Sequence, residues 1–156
     1  MRFVKQSVIN ASQERVFSFH EKADALTLLL PPWETATVIQ SARISEVGSQ
    51  AIIETSILGP IKVRWVAQHT VYEPPHVFED IQLKGPFRSW RHRHVVETDG
   101  SKAILRDEID YEPPLGFLGR LVAPILVGRR LERLFDFRHE VTRRWCENGE
   151  SKSTGA

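Results

Sequence analysis

Hydrophobic and polar residues alternate in two stretches of the chain, at residues 2–9 and from about 34 to 112. Alternation with a period of two is typical of a strand that has one buried face. In the second stretch, turn signals such as Gly59-Pro60 and Asp99-Gly100 separate six predicted strands, at roughly 34–45, 49–58, 61–73, 76–84, 88–98 and 102–112. The connections are short, so we expect antiparallel neighbours, because a parallel pair needs a long crossover.

Helical spacing marks most of the remaining chain. Asn10-Ala11-Ser12 provides candidate caps for a first short helix, and a second helix over about 22–30 must end before Pro31-Pro32. Towards the C-terminus, apolar residues recur every three or four positions, namely Leu118, Leu121, Val122, Ile125, Leu126, Leu131, Leu134, Phe135, Val141 and Trp145. This pattern predicts one long helix, which Pro124 either kinks or begins.

This order of elements predicts an α+β fold in one domain. The chain contains one strand, two short helices, six strands and a long helix, in that order. Their apolar faces are covered most simply when a curved seven-stranded antiparallel sheet wraps around the long C-terminal helix. We expect this domain to span residues 1–146. Residues 147–156 lack a large apolar side chain, so a disordered tail is predicted there.

Composition and charge exclude several classes of protein. A chain of 156 residues can bury one core without disulfides, and its formal net charge of +1 gives no electrostatic reason to expect a nucleic acid partner. The single cysteine, Cys146, cannot form an internal disulfide and suits a reducing cytoplasm. The apolar runs at 25–30 and 121–128 are shorter than the roughly 20 residues that cross a bilayer. We therefore expect a cytoplasmic protein with no stable membrane insertion.

The predicted hairpin at Asp99-Gly100 allows the register of its two strands to be calculated. If these two residues form the loop, facing positions sum to 199. The facing pairs are then Trp90 with Ile109, His92 with Asp107, and His94 with Leu105. These side chains share one face of the sheet, which is otherwise apolar and should face the long helix. A histidine–aspartate pair is therefore predicted inside the protein.

The preceding strand adds polar residues to the same face. Phe78, Asp80 and Gln82 share one side of that strand, and a three-residue loop at 85–87 would bring Asp80 to His92. The inward polar set is then Asp80, Gln82, His92, His94 and Asp107. So many buried polar groups must either satisfy one another or line a cavity that holds a ligand.

Four interpretations of this polar set stay open. It could be a structural network that fixes the sheet, or a pocket that binds the polar group of a ligand. It could also be an acid–base pair in which Asp107 orients His92 as the catalytic residue and raises the pKa of His92 above its ordinary value. Metal binding by His92 and His94 is the weakest interpretation, because no other histidine has a recognisable ligand spacing. No metal or cofactor is therefore expected.

Aromatic side chains complete the predicted site. Trp65 and Trp90 are candidates for the core or for a ligand-binding wall, whereas Trp33 follows the rigid Pro31-Pro32 segment and suits the mouth of a cavity. Large apolar groups with a few convergent polar ones are the usual make-up of a small-molecule site. The residues predicted to contact a ligand are Trp33, Trp65, Phe78, Asp80, Gln82, Trp90, His92, His94, Leu105, Asp107 and Ile109.

The long helix carries two further surface features. Its arginines alternate with acidic residues at helical spacing, as in the pair Glu140 and Arg144, which favours a solvated face over a nucleic-acid or membrane patch. The segment Leu121–Val127 has more apolar residues than the start of a lone helix needs. It is therefore a candidate interface for a homodimer or for another partner protein.

Several segments together resemble a known group of proteins. The run Asn10–Phe17 resembles the strand-to-helix passage that opens the START/pollen-allergen-like helix-grip superfamily (SRPBCC). Pro31-Pro32-Trp33, Arg64–Val66, Gly85–His92 and Tyr111–Gly116 are similar to a bacterial branch described as cyclase/dehydrase-like or coenzyme-Q-binding-like. The resemblance covers roughly residues 2–146 and implies a helix-grip fold with a hydrophobic cavity between the curved sheet and the C-terminal helix.

The resemblance also implies a small hydrophobic ligand. Members bind lipids, sterols, polyketides, plant hormones or quinones, and some catalyse cyclisation or dehydration, without a universal catalytic motif. We expect binding, transport or sequestration of such a molecule. The alternative is a polyketide cyclase/dehydratase-type enzyme with His92 as general acid/base, Asp107 orienting it, and Asp80 or Gln82 holding a substrate oxygen. The sequence does not decide between these two classes.

Overall fold

The structure of the protein is a computed structural model that describes residues 1–58, 61–114 and 116–148. The elements in chain order are β1 (Arg2–Ile9), α1 (Gln13–Glu21), α2 (Ala25–Leu28), β2 (Ala36–Gln40), β3 (Gln50–Leu58), β4 (Ile61–Glu73), β5 (Val77–Lys84), β6 (Ser89–Asp99), β7 (Lys102–Glu112) and α3 (Gly116–Asn148). The predicted turn at Gly59-Pro60 and residues 149–156 of the predicted tail lie outside the described residues.

The strands form one seven-stranded antiparallel sheet in the order β1-β7-β6-β5-β4-β3-β2. With two short helices after β1 and a long C-terminal helix, this sheet confirms the predicted α+β fold. The alternation in the sequence becomes the two faces of the sheet, since buried and half-buried positions alternate along β7. β2 is shorter than the predicted 34–45, because its pairing with β3 shifts register after Val38 and the chain turns at Arg43–Glu46.

The two short helices follow the local chemistry of the chain. The Ser12 side chain accepts a hydrogen bond from the Arg15 backbone N–H at 3.2 Å, which caps α1 as predicted. α2 is a single turn, shorter than the predicted 22–30. Val16, Phe17 and Phe19 of α1 are at most 2% exposed, so this helix contributes its inward face to the core.

α3 is one helix that contains Pro124, so the alternative in which Pro124 begins the helix is wrong. In its second half, every third or fourth residue is buried, namely Leu131, Phe135, His139, Thr142 and Cys146. The C-terminal end is held against α1, because Arg15 Nε donates to the Cys146 carbonyl at 2.6 Å and the Asn10 N–H donates to Glu147 at 2.9 Å. No helix of the described part of the chain is long and apolar enough to cross a membrane.

The buried apolar side chains form two clusters between the sheet and the helices. One cluster contains Phe78 and Leu105, and the other contains Trp90, Ile109 and Phe135. The solvated face of α3 carries the predicted ion pair between Glu140 and Arg144, at 2.6 Å. The inward residues of β5, β6 and β7 contact both apolar clusters, and the candidate site lies among them.

Candidate functional site

The hairpin between β6 and β7 has a register that differs from the predicted one by two. Gly100, with a φ of +62°, takes the first of the two loop positions, so the loop is Gly100-Ser101. Facing positions therefore sum to 201, as in the pair His94 and Asp107, and the predicted facing pair of His92 and Asp107 is wrong. The same shift applies to the other predicted pairs, Trp90 with Ile109 and His94 with Leu105. Because the shift is even, every side chain keeps its predicted face.

A group of buried polar side chains lies on this inward face, and we call it the polar cluster. Strands β5, β6 and β7 and helix α3 contribute its members, which are Asp80, His92, His94, Asp107 and His139. The register of β5 against β6 is the predicted one and places Asp80 opposite His92. His92, Asp107 and His139 are at most 4% exposed. The sequence-predicted polar residues are thus brought together, with the exception of Gln82.

Asp107 is the centre of the polar cluster. Its Oδ1 accepts a hydrogen bond from His92 Nε2 at 2.8 Å, and its Oδ2 accepts one from His139 Nε2 at 2.6 Å. His94 Nδ1 also lies 2.6 Å from Oδ1, although it is not aligned for a hydrogen bond. The second nitrogen of His139 forms a hydrogen bond with Ser7 Oγ at 2.8 Å. One carboxylate therefore holds three imidazole rings.

Asp80 lies on the other side of the two β6 histidines. Its Oδ2 is 3.7 Å from His92 Nδ1 and 3.6 Å from His94 Nε2, which is longer than a hydrogen bond. With 15% of its side chain exposed, Asp80 is the member of the polar cluster nearest to solvent. Donor atoms of Asp80, His92 and His94 lie within 4.8 Å of one another, so these residues could hold a metal ion.

Charge in the polar cluster is concentrated on His94 and the two carboxylates. Burial alone would raise the pKa of Asp107, but the charge of His94 and hydrogen bonds from His139 and His92 hold that pKa well below its ordinary range. Burial alone would lower the pKa of His94, but Asp107 and Asp80 together raise it to about 9. The contact with His94 likewise outweighs burial and lowers the pKa of Asp80. At neutral pH, an imidazolium at His94 therefore lies between two carboxylates.

His92 is neutral at the same pH. Burial, and then the charge of His94, lower the pKa of His92, and the hydrogen bond to Asp107 does not reverse this. The raised pKa predicted for His92 is therefore wrong, because burial and the charge of His94 outweigh the contact with Asp107. His20 of α1, whose ring lies 5.8 Å from that of His94, is neutral as well, since burial and His94 lower its pKa to about 3.

Beside the polar cluster lie four aromatic side chains that we call the aromatic group, namely Trp65, Phe87, Trp90 and Tyr111. The ring centroid of Trp90 is 5.0 Å from that of Trp65 and 4.9 Å from that of Phe87, in edge-on and tilted contacts. Trp90 is also 6.5 Å from the ring of His92, so the aromatic group adjoins the polar cluster. Trp65 and Phe87 are only half-buried.

Besides Trp33, four predicted ligand-binding residues lie outside both groups. Phe78, Leu105 and Ile109 are at most 3% exposed and belong to the apolar clusters. Gln82 instead holds the turn between β5 and β6, because its Nε2 donates to the Phe87 carbonyl at 2.8 Å. Its side chain is thereby occupied by the backbone of this turn and does not reach the polar cluster.

Trp33 lies in a separate cleft. The cleft has a volume of 480 Å³, and the Arg133 guanidinium lies 4.4 Å from the centre of the Trp33 ring. A second cleft, of 560 Å³, is lined by Trp90 together with Ile81 and Arg91 of the outward face. Neither cleft is lined by a residue of the polar cluster. The predicted site requires Trp33 and the polar cluster to line the same cleft. In the structure they do not.

His139 is absent from the predicted site although it contacts Asp107 directly. A signal for it exists in the sequence, because Leu131, Phe135 and His139 recur at four-residue spacing on one face of α3. That spacing places His139 on the buried stripe of the helix, where a polar side chain needs a partner.

Comparison with known proteins identifies the family of this chain. The profile described as polyketide cyclase / dehydrase and lipid transport matches residues 9–135. The chain belongs to this family. The matched region includes the whole aromatic group and every member of the polar cluster except His139. No curated protein sequence gives a significant match.

Solved structures share the fold at low sequence identity. TTHA0849 from Thermus thermophilus is 18% identical, with a TM-score of 0.75 over 97% of this chain and 100% of its own. The di-domain ARO/CYC protein StfQ from the steffimycin biosynthetic pathway is 11% identical, with a TM-score of 0.75 over 94% of this chain and 50% of its own. Ara h 8.0201 is 9% identical, with a TM-score of 0.70 over 96% of this chain and 99% of its own. These similarities confirm the helix-grip fold.

Proposed function

We propose that this protein binds a small hydrophobic molecule with a polar group, in the space between the sheet and α3. The observation that carries this function is the aromatic group, which forms a wall of tilted rings and leaves Trp65 and Phe87 half-buried. Large aromatic side chains that are not fully covered mark ligand and partner sites. Membership in a family whose description includes lipid transport supports the same class of ligand.

The first half of α3 also carries exposed apolar side chains. Phe117, Leu121, Ile125 and Leu126 are 57–75% exposed, while Val127 packs against the cluster that contains Trp90. An exposed apolar surface of this extent is typical of a binding site. The same segment is the expected interface for a homodimer, which light scattering at high protein concentration would test.

The polar cluster supplies the polar end of the proposed site. It adjoins the aromatic group through Trp90 and His92. Its charged members offer a donor at His94 and an acceptor at Asp80, which suit a carbonyl or hydroxyl group at one end of a hydrophobic molecule. Apolar walls with a few polar groups that fix orientation are the usual composition of a small-molecule site.

Replacing Trp65 by alanine should weaken the binding of an uncharged apolar probe, N-phenyl-1-naphthylamine, by about tenfold, because one wall of the aromatic group is lost. Fluorescence titration of the probe measures this change. Leu83→Ala is the matched control, since Leu83 is 49% exposed on β5 and lies outside the aromatic group. A wild type that binds no probe, or equal affinities of the wild type and Trp65→Ala, would contradict the proposed site.

A second function, acid–base catalysis, is favoured by the contact between His92 and Asp107. The 2.8 Å hydrogen bond orients the imidazole, and the lowered pKa of His92 leaves Nδ1 free of a proton and able to accept one. Cyclisation next to a carbonyl begins with removal of a proton from the neighbouring carbon. His92 is 4% exposed, so this chemistry requires a ligand to open the space beside it.

His92→Gln should slow the exchange of the protons beside the carbonyl of 1-tetralone in D2O by about 100-fold, because the base that accepts the proton is removed. Proton NMR follows the exchange, and the affinity for N-phenyl-1-naphthylamine should stay unchanged. His76→Gln, at an exposed histidine outside the polar cluster, is the control. If wild-type protein exchanges the ketone no faster than buffer does, catalysis by His92 is wrong and the binding function stands.

A further inference from the structure

We propose that Asp80, His92 and His94 form a binding site for a divalent transition-metal ion such as Zn²⁺. One donor atom of each residue lies within 4.8 Å of the other two. All three residues belong to the paired strands β5 and β6, where Asp80 faces His92 and His94 is the next residue on the same face. Ligands on paired strands are held in place more firmly than ligands on loops.

The distances between the donor atoms fit a metal ion better than a hydrogen bond. Asp80 Oδ2 is 3.7 Å from His92 Nδ1 and 3.6 Å from His94 Nε2, and both distances exceed the hydrogen-bond range. Ligands at about 2.0–2.1 Å from a tetrahedral zinc ion are about 3.3–3.4 Å from one another. The two distances to Asp80 therefore exceed the zinc spacing by only a few tenths of an ångström, and the two histidine nitrogens lie within 4.8 Å of each other.

Asp107 supplies the outer contacts that metal-bound histidines need. The nitrogens that point away from Asp80 are His92 Nε2 and His94 Nδ1, and they lie 2.8 and 2.6 Å from the same oxygen, Asp107 Oδ1. Metal-ligating histidines usually place their second nitrogen against a carboxylate, which fixes the tautomer and strengthens the bond to the metal. Asp107 accepts this hydrogen bond from His92, and its carboxylate lies beside the second nitrogen of His94. It is a positioning residue and not a ligand.

The donor types and charges define the class of ion. Two imidazoles and one carboxylate suit Zn²⁺ and the neighbouring first-row divalent ions, whereas Mg²⁺ and Ca²⁺ prefer oxygen ligands. Asp80 and Asp107 place two negative charges beside the dication, so its charge is balanced inside the protein. Three protein ligands leave a fourth position for water or for an oxygen of a bound molecule.

Metal binding here does not require that the protein also bind a hydrophobic molecule. It does exclude acid–base catalysis by His92 in the metal-bound protein, because both roles need His92 Nδ1. Addition of EDTA distinguishes catalysis by His92 from metal binding. The chelator removes the metal ion, whereas exchange of the ketone protons by metal-free His92 persists.

The test is a titration of metal-free wild-type protein with Co²⁺, whose visible absorption reports its coordination. We expect a saturable band at one-to-one stoichiometry, which Zn²⁺ then displaces. In the NMR spectrum we expect strongly shifted exchangeable ring protons from His92 and His94. The absence of saturable one-to-one binding, or strongly shifted ring protons from other histidines only, overturns the proposed site.

Variants locate the ion. His94→Gln and Asp80→Asn each remove one donor atom with little change in size, and Co²⁺ should bind to each about 100-fold more weakly. His76→Gln removes an exposed histidine outside the polar cluster and should bind Co²⁺ as the wild type does. Wild-type affinity in both ligand variants overturns the proposed site. If a variant does not fold, as judged by circular dichroism, the shifted ring protons of the wild type decide the question.

Discussion

Replacing Asp107 by asparagine should lower the free energy of unfolding by about 3–5 kcal/mol at neutral pH. The substitution keeps the shape of the side chain but removes a buried charge that lies within 2.8 Å of His92, His94 and His139. The His94 imidazolium would then keep only Asp80, at 3.6 Å. Removing one partner of a buried ion pair leaves the other charge without compensation, which is why we expect so large an effect.

Urea unfolding of metal-free protein at pH 7 measures this loss. Asp110→Asn is the matched control, since Asp110 is half-buried on the same strand and outside the polar cluster, and it should change stability by no more than about 0.5 kcal/mol. The folded-state pKa of Asp107 lies below its unfolded value, so its contribution is present above about pH 4 and is lost on further acidification. The difference in free energy of unfolding between the wild type and Asp107→Asn should therefore become smaller as the pH falls below about 4. A loss below about 1 kcal/mol at pH 7 would show that Asp107 does not hold the polar cluster together.

Phe135→Ala should lower the free energy of unfolding by about 3–5 kcal/mol, because it leaves a cavity in the centre of the molecule. Phe135 is 1% exposed and packs against Phe3 at 5.5 Å and His92 at 5.2 Å between ring centroids. The polar cluster on one side of Phe135 is fixed by hydrogen bonds and cannot move in to fill the space. The cost is therefore expected to include both lost burial and a persistent cavity.

A second phenylalanine on the same helix provides the control. Phe137 is half-buried and contacts Trp33 edge-on at 5.2 Å between ring centroids, at the margin of the 480 Å³ cleft. Phe137→Ala should cost about 1–2 kcal/mol, since its surroundings are open to solvent. Equal losses in the two variants would mean that the two side chains are buried to the same degree, contrary to the structure.

The strands β6 and β7 show how far the site could be predicted from the sequence. Alternation alone assigns His92, His94 and Asp107 to the inward face, and that assignment is independent of any even shift in register. Which histidine opposes Asp107 depends on whether the glycine of the turn takes the first or the second loop position. Asp99-Gly100-Ser101 is compatible with both, and the choice between them decides whether His92 or His94 lies opposite Asp107.

Contacts between distant segments could not be predicted in the same way. The aromatic group includes Phe87 and Tyr111, which are not among the residues predicted to contact a ligand. The path of the β5–β6 turn brings the Phe87 ring to 4.9 Å from that of Trp90. The positions of the two clefts are equally hard to predict, since they depend on how side-chain volumes fill the space between the elements. The alternation of apolar and polar residues predicts the face of the sheet on which a side chain lies, whereas packing determines which side chains are in contact.

The proposed ligand site is tested most directly by the tryptophan indole signals in a ¹H–¹⁵N NMR titration with N-phenyl-1-naphthylamine. The chain has four tryptophans, and two of them belong to the aromatic group. Trp33 lines a separate cleft, and Trp145 packs against Phe19 at 5.4 Å in the other apolar cluster. We predict that the signals of Trp65 and Trp90 follow one saturable curve while those of Trp33 and Trp145 stay in place. Shifts confined to Trp33 or Trp145, or no saturable shift of any indole, would contradict a hydrophobic ligand site between the sheet and α3.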